Sequence, residues 1–196
     1  MVAILRWIAG TKVIFAVMIA VMVLGPMDAE RIGDRWQVAL PLLAWACHGA
    51  RRQGSEFFLR YAVMFTAAHT AKRALGGAEV NMRPGGGREG FPSAHTSTAV
   101  LGASALAHEC LKGKPLAQAF VIGAAAFTGA SRIEAGKHDI WQVIAGALLG
   151  YGCDRALRRP TPLRARLARW IAALLRGIGV LVAMLRGRHH RPYPGE

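Results

Sequence analysis

The stretch GGGREGFPSAHTSTAVLGASALA, residues 85–107, decides how the chain is read. A glycine-rich polar loop runs up to Phe91-Pro92. From Pro92 to Ala107 there is then no Lys, Arg, Asp or Glu. Pro92 and Ser93 suit the first positions of a helix, with Ser93 as its cap. A helix N-terminus presents unpaired N–H groups and the positive end of the helix dipole, and both favour an oxyanion. His95 falls in the first turn, beside any anion held there.

Apolar runs recur on both sides of this segment. The first covers about Val2 to Leu24 and is interrupted by Arg6 and Lys12. The others are Trp36 to His48, Phe57 to Ala74, Ala94 to Leu111, Leu116 to Gly129 and Ile140 to Cys153. They are clumped and not amphipathic, which points to membrane spans. The expected fold is all-α, a polytopic membrane six-helix bundle. Several runs fall short of the ~20 residues that a perpendicular span needs, so tilted helices or ends extended by polar turns are expected. Gly and Ala in the last three runs let helices approach closely. The first run reads as a retained span, because no small-x-small cleavage site follows it and further apolar runs do. Residues 1–155 are expected to form the membrane domain. Residues 156–196 are expected to form a basic amphipathic helix on the inner leaflet (Trp170 to Leu185, with Arg176 mid-run) and a disordered tail carrying His189 and His190.

The 196 residues are 53% apolar and 18% charged, with a formal net charge of +14. In a soluble protein that charge would suggest nucleic acid. Here Lys and Arg sit between and after the apolar runs, as positive-inside topology requires, and nucleic acid is excluded as a partner. Arg51 and Arg52, Lys112 and Lys114, and Arg155, Arg158 and Arg159 fall on one side, with the N-terminus. That side is expected to be cytoplasmic, leaving loops 75–93 and 130–139 facing outward. Cys47, Cys110 and Cys153 are an odd set without metal-ligand spacing, read as reduced packing residues on the cytoplasmic side. Packing or interfacial roles are expected for His48, His69 and His108, and interfacial anchoring for Trp36, Trp45 and Trp141.

Nearly every residue suited to chemistry lies in the two outward loops. Arg83 and Arg132 can each make forked, charge-assisted bonds to phosphate oxygens. His138 and Gln142 are four apart and are expected to share a helix face, with Asp139 about 100° away around it. Gln142 can accept a hydrogen bond from one ring nitrogen of His138, leaving the other to attack phosphorus.

Three ordered stretches, RP at 83–84, PSAH at 92–95 and SRIEAGKHDIWQ at 131–142, resemble the type 2 phosphatidic acid phosphatase superfamily, which includes the vanadium haloperoxidases. Its signature is Lys-x6-Arg-Pro, Pro-Ser-Gly-His and Ser-Arg-x5-His-x3-Asp. The likeness covers about residues 66–155. It implies an acid phosphatase/vanadium haloperoxidase-like helical core and a metal-independent phosphatase without cofactor. His138 matches the nucleophile that forms a phosphohistidine. His95 matches the general acid that protonates the leaving oxygen and later activates water. Arg83, Ser93 and Arg132 match phosphate ligands, and the backbone N–H of Ala94 takes the place of the family's Gly. Three departures stand out. Gln142 replaces the Asp that steadies the nucleophile, Ala94 replaces Gly, and Gly76 sits where the Lys is expected. Lys72 or Arg73, one helical turn back, is the candidate for the Lys role.

The expected activity is a lipid phosphate or pyrophosphate phosphatase in a bacterial inner membrane, with its site facing outward. Undecaprenyl pyrophosphate, phosphatidic acid, phosphatidylglycerol phosphate and lipid A phosphates all remain open as substrates. Two alternatives stand beside it: lipid-to-lipid phosphotransfer on the same site, and a non-catalytic lipid-phosphate-binding membrane protein.

Overall fold

The computed structural model describes residues 28–158 continuously, with isolated positions on either side. The expected first span and the expected C-terminal helix and tail fall, apart from those positions, outside the described residues. The chain divides into two compact units, Met1–Arg159 and Pro160–Glu196.

The first unit is helical, with no strand among its described residues. Its helices are α1 (Ala29–Ala50), α2 (Gly54–Leu75), α3 (Ala94–Ala105), α4 (Pro115–Glu134) and α5 (Ile140–Ala156). A short 3-10 turn, Glu79–Asn81, breaks the long loop before α3, and a π-helical turn, Leu106–Cys110, follows α3. α1 starts earlier than its apolar run because the Asp28 side chain accepts a hydrogen bond from the Arg31 N–H at 2.9 Å and caps it. α2 runs through Lys72 and Arg73 and ends at Leu75, where Gly76 takes a positive φ of 48°. The short runs of the sequence are thus extended by polar turns.

α3 is the axis, and the other four helices all pack against it. Thr96, Ser97, Ala99, Leu101, Gly102 and Ala105 are all buried. Such close approach depends on missing side chains. A Cβ on Gly102 would lie 2.5 Å from the backbone nitrogen of Pro41 in α1. Cβ atoms on Gly146 and Gly150 of α5 would lie 2.5 and 2.3 Å from the carbonyl oxygens of Ser93 and Ser97. Leu40, Leu43, Met64, Leu101, Leu106 and Val121 fill the remaining space. Trp36 belongs to this core, at 1% exposure and edge-on to Phe120, and is not an interfacial anchor. Trp45 and Trp141 are exposed.

Among the described residues α4 is the one helix long and apolar enough to cross a membrane. α3 is regular for 12 residues only, α5 has 17, and α1 and α2 carry charged residues in their end turns. A six-span layout therefore goes beyond what length and composition of the described helices show.

The end of the bundle bearing the α1–α2 turn is tied by buried charge. Arg60 reaches Glu109 and Asp154, each at 2.7 Å, and Ser104 donates to Asp154 at 2.5 Å. Arg158 pairs with both acids. Two expectations are corrected here. His48 is not without a partner: its Nε2 meets Glu109 at 2.6 Å. Cys47 and Cys110 are not independent packing thiols but form a disulfide, with Cα atoms 6.4 Å apart. Their 63-residue separation conceals that the last turn of α1 and the π turn meet at one end of the bundle. Cys153 is free.

Glycine at 150 is a packing requirement, whereas Gly152 on the same helix faces open space. We expect Gly150→Ala to cost about 1–3 kcal/mol and to lower the thermal midpoint in detergent. Gly152→Ala should leave the midpoint unchanged or raise it slightly; equal midpoints for the two variants would contradict this packing.

Candidate active site

The site lies at the opposite end, where the loops before α3 and α5 meet. Asn81, fully buried, organises the first of them. Its side chain donates to the carbonyls of Lys72 and Gly76 and accepts from the Phe91 N–H. Gly85 N donates to the carbonyl of Gly136 at 3.1 Å, which stitches the two loops together. Asn81 was not among the sequence candidates. A polar residue flanked by Val80 and Met82, just before Arg83-Pro84, was the available signal.

Gln142 is the centre of the arrangement and is inaccessible to solvent. Its amide nitrogen donates to the carbonyls of Val80 at 3.1 Å and Met82 at 2.7 Å. Those two bonds settle which way the amide faces. Its Oε1 then accepts from Nδ1–H of His138 at 3.0 Å. Its own backbone carbonyl accepts from Ser93 N at 3.0 Å. One side chain thus aligns the imidazole, the loop carrying Arg83 and, through its backbone, the start of α3.

The expected shared helix face is corrected in detail. α5 begins at Ile140 with Asp139 as its cap, so His138 precedes the helix. Asp139 does not point away around the helix. Its carboxylate accepts from the Gln142 N–H at 2.8 Å, and Gln142 Oε1 accepts in return from the Asp139 N–H at 3.4 Å. This is a capping box, whose reciprocal bonds satisfy two helix-end donors.

With Nδ1 committed to Gln142, Nε2 of His138 carries the lone pair. Burial holds the imidazolium form down, to a pKa of about 4, against the raising effect of the Gln142 bond. The charges of Lys72, Arg83 and His95 contribute to the same lowering. Those three groups therefore stand near enough to act on His138.

Ser93 caps α3, accepting from Thr96 N at 3.4 Å and from the Thr96 hydroxyl at 3.0 Å. Ala94 is the first residue of α3 and His95 the second. Arg83 keeps a buried Nε with no hydrogen-bond partner among the described residues, and its Nη2 makes one long bond, 3.4 Å, to the Glu89 carbonyl. Lys72, in the last turn of α2, is buried and donates to the same carbonyl, whereas Arg73 is exposed. Arg132 is buried near the end of α4. It meets Asp34 at 2.9 Å and donates to the Glu30 carbonyl at 2.5 Å. Asp34 also stands 3.4 Å from Nε2 of His95. Glu30 and Asp34 were not singled out in the sequence, where they sit in an apparent loop. Their spacing of four, one turn of helix, was the available signal.

The sequence model of the PAP2 superfamily matches residues 9–166, well over half the chain. The chain belongs to the PAP2 superfamily. Membership supports hydrolysis of phosphate esters. No curated protein matches the chain, and no solved structure does.

In this PAP2 chain the amide of Gln142 does what the Asp of the signature could not, since a carboxylate has no N–H to offer Val80 and Met82. Gln142→Asp would leave two carbonyls facing an anion, at about 1–3 kcal/mol for each unsatisfied group. We expect the loop to loosen and trypsin to cleave after the exposed Arg88 about tenfold faster, read by intact-protein mass. An unchanged cleavage rate would mean that the amide does not hold the loop.

Proposed function

We propose that the chain is a membrane phosphatase that removes phosphate from a lipid phosphate or pyrophosphate through a phosphohistidine on His138. The observation that carries this is the His138–Gln142 bond beside an Arg83 whose Nε has no hydrogen-bond partner among the described residues. A nucleophilic nitrogen is held neutral and aimed, and a cation next to it is left with hydrogen-bonding capacity to spare.

The chemistry follows from those groups. Phosphate oxygens are held by Arg83, Arg132, Lys72, Ser93 and the N–H of Ala94 at the α3 terminus, where charge grows in the five-coordinate transition state. Nε2 of His138 forms a bond to phosphorus as the bond to the leaving oxygen breaks. His95 passes its proton to that oxygen; burial and the Arg132 charge lower its pKa, which eases that transfer, while Asp34 beside it offsets part of the shift. His95, now neutral, takes a proton from water. The hydroxide oxygen bonds to phosphorus, the N–P bond breaks, and phosphate leaves. No metal enters this scheme.

Two features support a lipid as the phosphate carrier. A furrow of about 500 Å³ between α3, α4 and α5 is lined by Val100, Ala103, Ala126, Ile133, Ile140 and Tyr151. It also touches Thr96, next to His95. Val38, Leu42, Ile122, Trp141 and Leu148 expose large apolar surfaces, as helices facing hydrocarbon do. Arg51, Arg52, Lys112, Lys114 and Arg155 lie at the other end of the bundle. Positive-inside topology then favours a six-span layout in a bacterial inner membrane, with the site facing outward.

The test is phosphate release in detergent from phosphatidic acid, phosphatidylglycerol phosphate and undecaprenyl pyrophosphate, with and without EDTA. We expect release insensitive to EDTA and reduced at least about 10³-fold by His138→Ala. Release without any loss in His138→Ala would overturn the phosphohistidine. Phosphate passed to an added acceptor lipid instead of water would establish the phosphotransferase. Binding of the lipids without turnover would establish the non-catalytic protein.

The pH profile follows from the same geometry. His138 must be neutral to attack, so kcat/KM should keep its acid limb near pH 4, the pKa of that group. An Asp at 142 would stabilise the imidazolium and raise that pKa, so the acid limb of Gln142→Asp should move to higher pH. An acid limb at the same pH in both enzymes would mean that another group sets it.

A further inference from the structure

The disulfide lies beside a histidine at the end of the bundle far from the phosphate site. Sγ of Cys47, Sγ of Cys110 and a ring nitrogen of His48 all lie within 4.8 Å of one another. Cys47 and His48 are buried, at 2% and 1% exposure. Both ring nitrogens of His48 donate, Nδ1 to the carbonyl of Ala44 at 2.7 Å and Nε2 to the Glu109 carboxylate at 2.6 Å. A metal-ligating histidine ordinarily keeps one nitrogen bonded to a backbone carbonyl and turns the other to the metal. Three donors from two helix ends, the adjacent pair Cys47-His48 and Cys110, thus lie together.

Glu109, next to Cys110 in the chain, is held by three arginines. Arg51 donates to the Glu109 carbonyl, Arg60 bonds its carboxylate at 2.7 Å, and Arg158 meets the same carboxylate at 3.1 Å. The thiolate is the form of cysteine that binds metal. Two thiolates and one imidazole are the protein donors of a tetrahedral zinc site whose fourth position is open.

We propose that the reduced form of this protein binds one thiophilic divalent cation, of the zinc class, through Cys47, Cys110 and His48, with the fourth position left to water. The reductant is a dithiol. It gives two electrons and two protons to the Cys47–Cys110 bond and is itself oxidised to a disulfide. Each cysteine thiol then releases its proton as its sulfur bonds the cation, and Nε2 of His48 gives up to solvent the proton it shared with Glu109 as it takes its place on the cation. The topology proposed above supplies the reductant, since it places this end in the cytoplasm, where disulfides are rare. The donor geometry itself does not rest on that reading. Two links would then alternate between α1 and the π turn, a disulfide under oxidising conditions and a metal bridge under reducing ones.

The test uses the full-length protein in detergent, reduced with a phosphine and titrated with cobalt(II). We expect one equivalent to bind with a near-ultraviolet thiolate-to-cobalt band, which the tail histidines His189 and His190 cannot produce. The band should be absent from unreduced protein, lost in Cys47→Ser and in Cys110→Ser, and kept in Cys153→Ser. His48→Ala should weaken binding by about tenfold or more. No such band in the reduced protein, or a band surviving Cys47→Ser, would overturn the proposal. Because a serine variant can fail to fold, the unmodified protein is also alkylated with and without zinc(II), and each cysteine is followed by mass spectrometry. Zinc should slow alkylation of Cys47 and Cys110 at least about tenfold and leave Cys153 unaffected; equal rates at all three would overturn the site. Neither measurement depends on phosphate release, so this site and the phosphatase reading fail independently.

Discussion

The hydrogen bonds from the Gln142 amide nitrogen to the carbonyls of Val80 and Met82 are the constraint on which the site depends. A primary amide is a donor on one side and an acceptor on the other. Binding two carbonyls with the nitrogen forces the oxygen toward His138. It also ties the loop bearing Arg83 to the start of α5. Position 90 must be glycine for the same reason, because a Cβ there would lie 2.5 Å from the amide nitrogen. A carboxylate at 142 would serve the imidazole better and the loop worse.

The carbonyl of Gln142 also reaches the start of α3, through Ser93 N, and this reach depends on backbone contact between α3 and α5. Gly146 and Gly150 allow α5 to lie against the carbonyls of Ser93 and Ser97. Ser93 caps α3, Asp139 caps α5, and the two caps are brought side by side by that packing. The glycines therefore act on chemistry they do not touch, by setting how near His138 comes to the α3 terminus.

The far end is built on a different balance. Arg60, Arg158, Glu109 and Asp154 are held there with their charges paired, and breaking such a buried pair is costly because it strands the other charge. The same network meets the cysteine pair through His48 and Glu109, their neighbours in the chain. It joins α1, α2, α5 and the π turn at the end where loops are short, while the long loops at the other end are free to carry the phosphate chemistry.

Helix positions were largely legible in the sequence, because apolar runs bounded by Gly, Pro and charge report burial directly. Four of the five helices described cover an expected run and extend past it, since polar capping turns carry no apolar signal, whereas α3 stops at Ala105 and the rest of its run forms the π turn. The linear motif determined the membership in a phosphatase family, and it brought His95, His138, Arg83 and Arg132 forward as candidates. The tertiary structure alone decided which partners they meet. Asp34 beside His95, Glu30 on Arg132, the direction of the Gln142 amide and the Cys47–Cys110 bond all join residues tens of positions apart. Periodicity reports which face of a helix is buried but not which helix it faces, and hydrogen bonding between distant loops leaves no periodic trace.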